Sequence, residues 1–129
     1  MKTFPIIAIF KRRLNMPYID TKVNINIPEE KEIELKSRLG EAIKLIPGKS
    51  EQWLMTSFED NCRLYFRGDA GKPLAFVNVK IYGGEQPEAF DSLTGEITKI
   101  LKDVLSIEAG NIYIAYEPVS SWGWNGHNF

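Results

Sequence analysis

The sequence contains little cysteine, little histidine and no long hydrophobic run. Cys62 is the only cysteine and His127 the only histidine, so neither an internal disulfide nor a CxxC redox or zinc motif can form. No carboxylate or cysteine cluster surrounds His127 at metal-ligand spacing, and we therefore predict no metal site and no cofactor. No stretch approaches the roughly 20 apolar residues of a membrane span, so we expect a soluble chain without a membrane partner.

The chain also lacks an excess of charge of either sign. Its 16 basic and 17 acidic side chains give a net charge of -1, which provides no electrostatic reason to expect a nucleic acid as partner. Neither a phosphate-binding glycine loop nor a serine-histidine motif is present. With 129 residues, 43% of them hydrophobic, the chain fits one compact domain whose partners are small molecules or proteins.

The first fifteen residues, MKTFPIIAIFKRRLN, differ from the rest. The apolar run 4–10 resembles the centre of a signal peptide, but Pro5 interrupts it, the basic cluster 11–13 follows it, and no small-residue cleavage site is nearby. We treat residues 1–16 as an N-terminal extension and residues 17–129 as the domain. The extension is an extra edge strand, a short anchor, or upstream sequence translated from a start codon assigned too early. We expect a cytoplasmic protein, or one secreted without a signal peptide.

The first half of the domain predicts a strand, a helix and a strand. Odd positions in 17–27 are mostly apolar and even positions polar, which indicates a strand with one buried face. Pro28 and two glutamates suit the first turn of a helix, and Pro47 with Gly48 ends that segment. The apolar stripe of the helix is Leu35, Leu39, Ala42, Ile43 and Ile46. QWLMTSF (52–58) predicts the next strand, and CRLYFR (62–67) a shorter edge strand.

The second half repeats this plan. LAFVNVKIY (74–82) predicts a strand, a helix begins near Pro87, and NIYIAYE (111–117) predicts the closing strand. VNINI at 23–27 even resembles VNVKI at 77–81. Parallel pairing within each unit, with right-handed crossovers, gives an α+β fold: two β-α-β repeats forming a four-stranded mixed sheet with two helices on one face.

The other face of that sheet poses a problem, because it is expected to be rich in aromatic area. The side chains concerned are Tyr18, Asn24, Trp53, Met55, Phe76, Asn78, Tyr82, Tyr113 and Tyr116. Parallel sheets are seldom left bare on one side. We therefore expect identical subunits to cover this face in a symmetric homo-oligomer, with ligand sites in the clefts between subunits.

Several motifs together resemble the macrophage migration inhibitory factor family of the tautomerase superfamily. They are Met16-Pro17 ahead of an alternating strand, Gly48-Lys49 after the first helix, the Gly83-Gly84 turn, IYIAYE, and the tail WGWNGHNF ending on Phe129. The resemblance covers 17–129. It implies a homotrimer of two-helix, four-stranded subunits with active sites between neighbours, and keto-enol tautomerisation of α-keto acids such as phenylpyruvate.

The resemblance makes Pro17 the catalytic base, once removal of Met16 frees its amine. A free α-amino group titrates at roughly 8, and apolar surroundings lower that value toward neutrality, where a base can move a proton between carbon and oxygen. If Met16 is not the start, the nitrogen of Pro17 is an amide without basicity. Proline opening a strand is the alternative interpretation.

The resemblance assigns further roles. Lys49 would hold the carboxylate of the substrate or stabilise enolate charge, unless it is an ordinary exposed lysine. Val79 would border the pocket, or be a plain core residue. Tyr113 would come from the neighbouring subunit and bond the substrate. Trp53, Trp122, Trp124 and Phe129 would wall the site, although tail aromatics can equally plug a subunit interface. Ala115 departs from the asparagine that family members often have, which puts dopachrome-like substrates in doubt.

Two other functions stay open. The first is a non-catalytic, cytokine-type trimer that binds a protein receptor while the extension blocks Pro17. The second is another reaction of the superfamily, such as isomerisation of a muconate-type acid. The first residue of the mature chain distinguishes the non-catalytic trimer from the enzyme: a chain that starts at Pro17 supports the enzyme, and one that starts at Met1 excludes it.

Overall fold

The computed structural model describes residues 16–129, and the predictions for residues 1–15 lie outside this part of the chain. The elements in order are β1 (Pro17–Val23), α1 (Glu29–Ala42), 3-10 turns at Ile43–Leu45 and Glu51–Trp53, β2 (Met55–Glu59), β3 (Ala75–Tyr82), α2 (Pro87–Leu105), a 3-10 turn at Ala109–Asn111, β4 (Ile112–Val119), β5 (Gly123–Trp124) and β6 (His127–Asn128). The last two strands form a small antiparallel hairpin.

The main sheet has the strand order β2-β1-β3-β4. Strand β1 runs parallel to β2, β3 runs parallel to β4, and the central pair β1 and β3 is antiparallel. Each half of the chain therefore forms one parallel β-α-β unit, and the two units meet along the middle of the sheet. The predicted α+β fold with a mixed four-stranded sheet is confirmed.

Two predicted strands differ from the observed ones. The strand expected at 52–58 begins only at Met55, because Glu51–Trp53 forms a 3-10 turn ahead of it. The segment 62–67 forms no strand within the described chain, and its one ladder contact is an isolated bridge between Phe66 and Asp69. A strand needs a partner along its length, and here only the amide of Cys62 bonds the end of β1, at the Val23 carbonyl (2.9 Å).

One face of the sheet is covered by both helices and forms the core. Odd residues of β1 and β3 lie on this face, and Ile19, Val77 and Val79 are fully buried there. The helices contribute the remaining core side chains, which include Leu35, Leu39, Ile43, Leu93, Ile97, Ile100 and Leu101. This arrangement follows from the apolar stripes at helical spacing, since burying both stripes requires one common partner surface.

The opposite face of the sheet carries a polar network at its centre. Tyr18 bonds the Ser57 hydroxyl (2.6 Å), Ser57 donates to Asp20 (2.7 Å), and the Lys22 ammonium bridges Asp20 (2.8 Å) and Glu59 (3.1 Å). Partial burial raises the pKa of Asp20, but the hydrogen bonds from Lys22 and Ser57 outweigh it and leave that pKa below its ordinary value. This face is therefore less apolar than the sequence suggests.

Tyr116 is a specific correction to the predicted composition of that face. It pairs with Val79 across β3 and β4 and so points toward the helices, where its ring stacks on Phe90 at 4.6 Å. Its hydroxyl donates to the Phe90 carbonyl (2.9 Å) and bonds the Thr94 hydroxyl (2.8 Å). The polar tip is satisfied inside the fold, so Tyr116 belongs to the core and not to the uncovered face.

Candidate functional site

A cleft of about 750 Å³ opens where β1 begins and β3 ends. Its lining residues are Met16, Pro17, Tyr18, Gln52, Trp53, Leu54, Met55, Lys80, Trp122, Gly123 and Trp124. Four segments far apart in the sequence thus meet at one end of the sheet. The surface is mostly apolar and aromatic, with few polar groups, as is usual for sites that bind small organic molecules.

Pro17 lies at the inner wall of this cleft. It is buried and stands opposite Ile81 in the antiparallel pair of β1 and β3. The preceding residue is also held in the sheet, since Met16 is only 2% exposed and its carbonyl accepts a hydrogen bond from the Tyr82 amide at 3.2 Å. Proline lacks an N–H, so it fits the head of a strand at no cost in ladder hydrogen bonds. The pyrrolidine ring is thereby held in one orientation at the cleft.

Lys49 is a buried cation next to the same strand end. Its side chain leaves a turn in which Gly48 has a φ of 81°, and the residue is 5% exposed. The ammonium donates to the Tyr82 carbonyl at 3.1 Å. Burial disfavours the charged form and lowers the pKa of Lys49 from 10.5 to about 8. The group is therefore poised to change charge near neutral pH, and a bound anion would favour its protonated form.

Aromatic rings from the chain terminus close the cleft. Trp53 and Trp124 meet edge to face with centroids 5.1 Å apart, and the β5–β6 hairpin holds Trp124 in place. Tyr82 contacts both Trp122 (6.4 Å) and Phe129 (6.0 Å). Trp53, Trp122 and Trp124 line the cleft, whereas Phe129 is outside its lining and contacts Tyr82.

Of the six predicted site residues, Pro17 and Trp124 line the cleft, whereas Lys49, Val79, Tyr113 and Phe129 do not. The Val79 side chain is fully buried in the core and does not line the cleft. Tyr113 is 58% exposed at the other end of the sheet, where it packs edge to face on Phe66 (5.2 Å). Its strand partner Phe76 lies five residues from Ile81 along β3, about 17 Å at roughly 3.4 Å per residue. Tyr113 cannot reach Pro17 of its own chain.

Sequence reasoning placed Tyr82 on the uncovered face of the sheet but assigned it no role in the site. Its main chain links Met16 and Lys49, and its ring links the two tail aromatics. The one signal in the sequence is its position directly before the Gly83-Gly84 turn, which marks the end of the strand that faces β1. Within residues 16–129 no group of three or more metal-ligating side chains occurs, and no helix is long and apolar enough to cross a membrane.

This arrangement can be compared with known proteins. The family model for macrophage migration inhibitory factor (MIF) matches residues 16–129. The chain belongs to the macrophage migration inhibitory factor family. It therefore falls within the tautomerase superfamily, as the motifs predict. A comparison with curated protein sequences found no significant match.

Solved structures agree with this placement. MIF2 of Leishmania major is similar with a TM-score of 0.83 and 30% identity, covering 89% of this chain and 98% of that one. The MIF homologue of Prochlorococcus marinus has a TM-score of 0.72 and 28% identity, covering 87% and 98% of the two chains. The MIF-like protein of Entamoeba histolytica shares the fold, with a TM-score of 0.76 at 23% identity, covering 89% and 100%.

Proposed function

We propose that this protein is a keto-enol tautomerase of phenylpyruvate-like α-keto acids, with the free amine of Pro17 as general base. The observation that carries the proposal is the position of Pro17, which is buried at the wall of an aromatic cleft. The Lys49 ammonium lies at the same strand end, where it donates to the Tyr82 carbonyl. Membership of the tautomerase superfamily supports the reaction class. A free amine requires that residues 1–16 are absent from the mature chain.

The reaction is a proton transfer between carbon and oxygen. The neutral Pro17 nitrogen takes a proton from the carbon beside the ketone, and the electrons of that C–H bond form the C=C bond of the enolate. Pro17 then returns the proton to the enolate oxygen. Lys49 binds the carboxylate or the developing oxyanion as a cation, and Trp53 and Trp124 stack on the aromatic part of the substrate.

The active unit is a homotrimer in this proposal. Tyr113 lies about 17 Å from the cleft of its own chain, so it can contact substrate only at the cleft of a neighbouring subunit. Met55 and Tyr113 leave 69% and 58% of their surfaces exposed at the edges of the sheet, which a neighbour would cover. The polar network of Asp20, Lys22 and Ser57 would then line the interior between subunits.

One observation favours a second function, a non-catalytic trimer that binds a protein receptor. Met16 is itself buried, and its carbonyl completes the hydrogen bonding of the Tyr82 amide. A chain that keeps Met16 is therefore well accommodated by the fold. In that form the Pro17 nitrogen is a tertiary amide and cannot accept a proton.

The deciding experiment determines the first residue of the native chain and measures the tautomerase activity of chains that begin at different residues. Intact mass and N-terminal sequencing of protein from its natural source should give a chain that starts at Pro17. Recombinant protein translated from Met16, with the methionine removed, should accelerate the loss of enol absorbance of phenylpyruvate. Protein beginning at Met1 should not. A native chain that begins at Met1, or a Pro17-initiated chain without activity, would contradict the proposal.

A further inference from the structure

The loop between β2 and β3 has a tight turn at its tip, where three residues are exposed: Arg67, Gly68 and Asp69. Phe66 and Asp69 exchange both main-chain hydrogen bonds across it, at 2.8 and 3.0 Å. The two central residues have φ angles of 55° and 75°. Positive φ at both central positions defines a type I′ turn, the form that joins the two arms of a hairpin with the correct twist. Glycine relieves the strain at the second position.

Both charged side chains of the turn are held by local contacts. The Arg67 guanidinium lies over the Phe66 ring, 5.0 Å from its centroid. One Asp69 carboxylate oxygen accepts the Gly71 amide at 2.8 Å. The other oxygen accepts no hydrogen bond from residues 16–129, and Arg67 and Asp69 form no ion pair there. The Arg67 guanidinium and the Asp69 carboxylate are therefore available to a partner as two separate charges. The Cα atoms of the two residues are at most about 7 Å apart.

The turn is also fixed to the body of the protein. The Asn24 side chain accepts the Leu74 amide (2.7 Å) and donates to the Lys72 carbonyl (2.8 Å), which ties down the far arm of the loop. On the near arm, Phe66 packs against Tyr113 of the sheet. The tip itself is open, because a Cβ placed on Gly68 would meet no atom within 4 Å. Little conformational entropy remains to be lost when this turn binds a partner.

We infer that the Arg67-Gly68-Asp69 turn is a docking site for a cell-surface adhesion receptor that binds the carboxylate through a divalent cation and the guanidinium through acidic side chains. An Asp oxygen is a hard ligand that suits Mg²⁺ or Mn²⁺ when the receptor supplies the other ligands. The planar guanidinium fits a receptor carboxylate with two parallel hydrogen bonds. The glycine between them lets the receptor approach the main chain of the turn.

Other partners fit the turn less well. A nucleic acid or an anionic membrane would be attracted by Arg67 but repelled by Asp69, which lies two residues away. A metal ion alone has too few ligands, since no group of three potential ligand side chains occurs in residues 16–129. The paired opposite charges therefore favour a protein surface with a matching pair. The inference does not depend on the chemistry of Pro17, because the three residues of the turn do not line the cleft of their own chain.

The test immobilises the full chain and measures binding of a purified adhesion-receptor ectodomain known to bind Arg-Gly-Asp peptides, in buffer with Mn²⁺. We expect saturable binding that EDTA abolishes and that a free Gly-Arg-Gly-Asp-Ser peptide inhibits. Asp69→Glu keeps the charge but moves the carboxylate by one methylene, and it should weaken binding about 30-fold or more. Arg67→Lys keeps the charge but removes the planar fork, and it should weaken binding in the same direction.

The matched control is Asp91→Glu, the same chemical change at an exposed aspartate of α2. It should leave receptor binding unchanged. All variants should keep the circular dichroism and thermal stability of the parent protein, so that a loss of binding is not a loss of fold. Absence of receptor binding by the folded parent, or binding that resists EDTA or is equally strong in Asp69→Glu, would overturn the inference.

Discussion

The two ends of the sheet are built differently. At one end Pro17 and the rings of Trp53 and Trp124 line a cleft, and the buried Lys49 beside this strand end donates to the Tyr82 carbonyl. At the other end Tyr113 packs on aromatic neighbours and remains more than half exposed. In the proposed mechanism the first end supplies the base Pro17 and the cation Lys49. The second end presents the Tyr113 hydroxyl beside a smaller pocket, which Phe66, Phe76 and Tyr113 help to line.

In the proposed trimer, each chain would supply one half of each of two separate sites. A single subunit cannot bring the two ends together, since a sheet is rigid and the ends lie about 17 Å apart. A rotational axis would join the first end of one subunit to the second end of the next and repeat the same contact around the ring. The experiments below test this division of labour between the two ends.

Pro17→Gly should have the largest effect at the cleft end. Glycine keeps a terminal amine but loses the rigid ring that directs the lone pair, so we expect a fall of about 100-fold or more in kcat for phenylpyruvate. The measurement is the enol absorbance assay on protein whose first residue is position 17. A kcat near that of the parent protein would show that the pyrrolidine ring of Pro17 is not needed for the proton transfer.

Lys49→Met should separate function from stability. Burial of the charged Lys49 opposes folding, and it lowers the pKa of this group from 10.5 to about 8. Below pH 8 this pKa difference corresponds to about 3 kcal/mol of lost folding free energy, which the methionine variant recovers. The variant loses about 1 kcal/mol in turn, because the Tyr82 carbonyl no longer has its hydrogen-bond donor. We expect the free energy of unfolding at pH 7 to rise by about 2 kcal/mol in urea titrations, while KM rises at least about tenfold.

The stability gain in Lys49→Met should depend on pH in a defined direction. Between pH 8 and 10.5 the unfolded parent chain binds one more proton at Lys49 than the folded chain, so the stability of the parent rises with pH. The advantage of the variant should therefore be complete below pH 8, and above 10.5 it should give way to a deficit of about 1 kcal/mol from the lost hydrogen bond. A constant difference across this range would contradict the burial of a charged lysine.

The pH dependence of activity should follow the same group. Above pH 8 the Lys49 ammonium loses its proton, and its attraction for an anionic substrate is lost. We expect kcat/KM for phenylpyruvate to fall about tenfold per pH unit on this side of the profile. Lys49→Arg stays charged throughout and should lack the fall, so a profile shared by both proteins would assign it to another group.

Tyr113→Phe tests whether the other end serves a neighbouring cleft. Loss of one hydroxyl contact should raise KM several-fold with little change in stability, because 58% of the side chain is exposed. Inactive Pro17→Gly subunits mixed with Tyr113→Ala subunits should regain activity after reassembly, since some interfaces then combine two intact halves. If each site lies within one chain, mixing cannot restore it.

Tyr116→Phe should have the smallest effect. It removes the hydroxyl that donates to Phe90 and bonds Thr94, both on the helix side of the sheet. We expect a loss of about 1 kcal/mol in the free energy of unfolding and no change in kinetics. A change in kcat/KM comparable to that of Tyr113→Phe would mean that Tyr116 takes part in the site.

Much of the fold was predictable from local patterns. Alternation marked β1, an apolar stripe marked α1, the segment 74–82 was predicted as the strand that β3 forms, and Pro87 marked the start of α2. The prediction at 62–67 was wrong because alternation also occurs in a loop, where Arg63, Tyr65 and Arg67 point to solvent without a neighbouring strand. The repeated VNINI and VNVKI segments are also not equivalent, since β1 ends at Val23 while β3 contains the whole second segment.

The site was predictable only in part. The positions of Pro17 at the head of a strand and Lys49 after a helix followed from the motifs, and the structure places both at one strand end. The role of Tyr82 could not be foreseen, because its main-chain bonds to Met16 and Lys49 depend on strand register. The apolar pattern of each strand sets which of its faces is buried. Which residue of β1 stands opposite which residue of β3 is decided when the two β-α-β units pack together, so it cannot be read from either segment alone.

The sequence by itself determined the repeated strand-helix-strand plan, the near absence of net charge and the family to which the chain belongs. These properties depend on local periodicity and on motifs, which can be read without knowing which segments meet. Only the tertiary structure decided that Tyr116 enters the core, that Tyr113 lies far from Pro17, and that the tip of the Arg67-Gly68-Asp69 turn is open at Gly68. Each of these depends on which strand lies beside which, and that choice is made by packing over the whole chain.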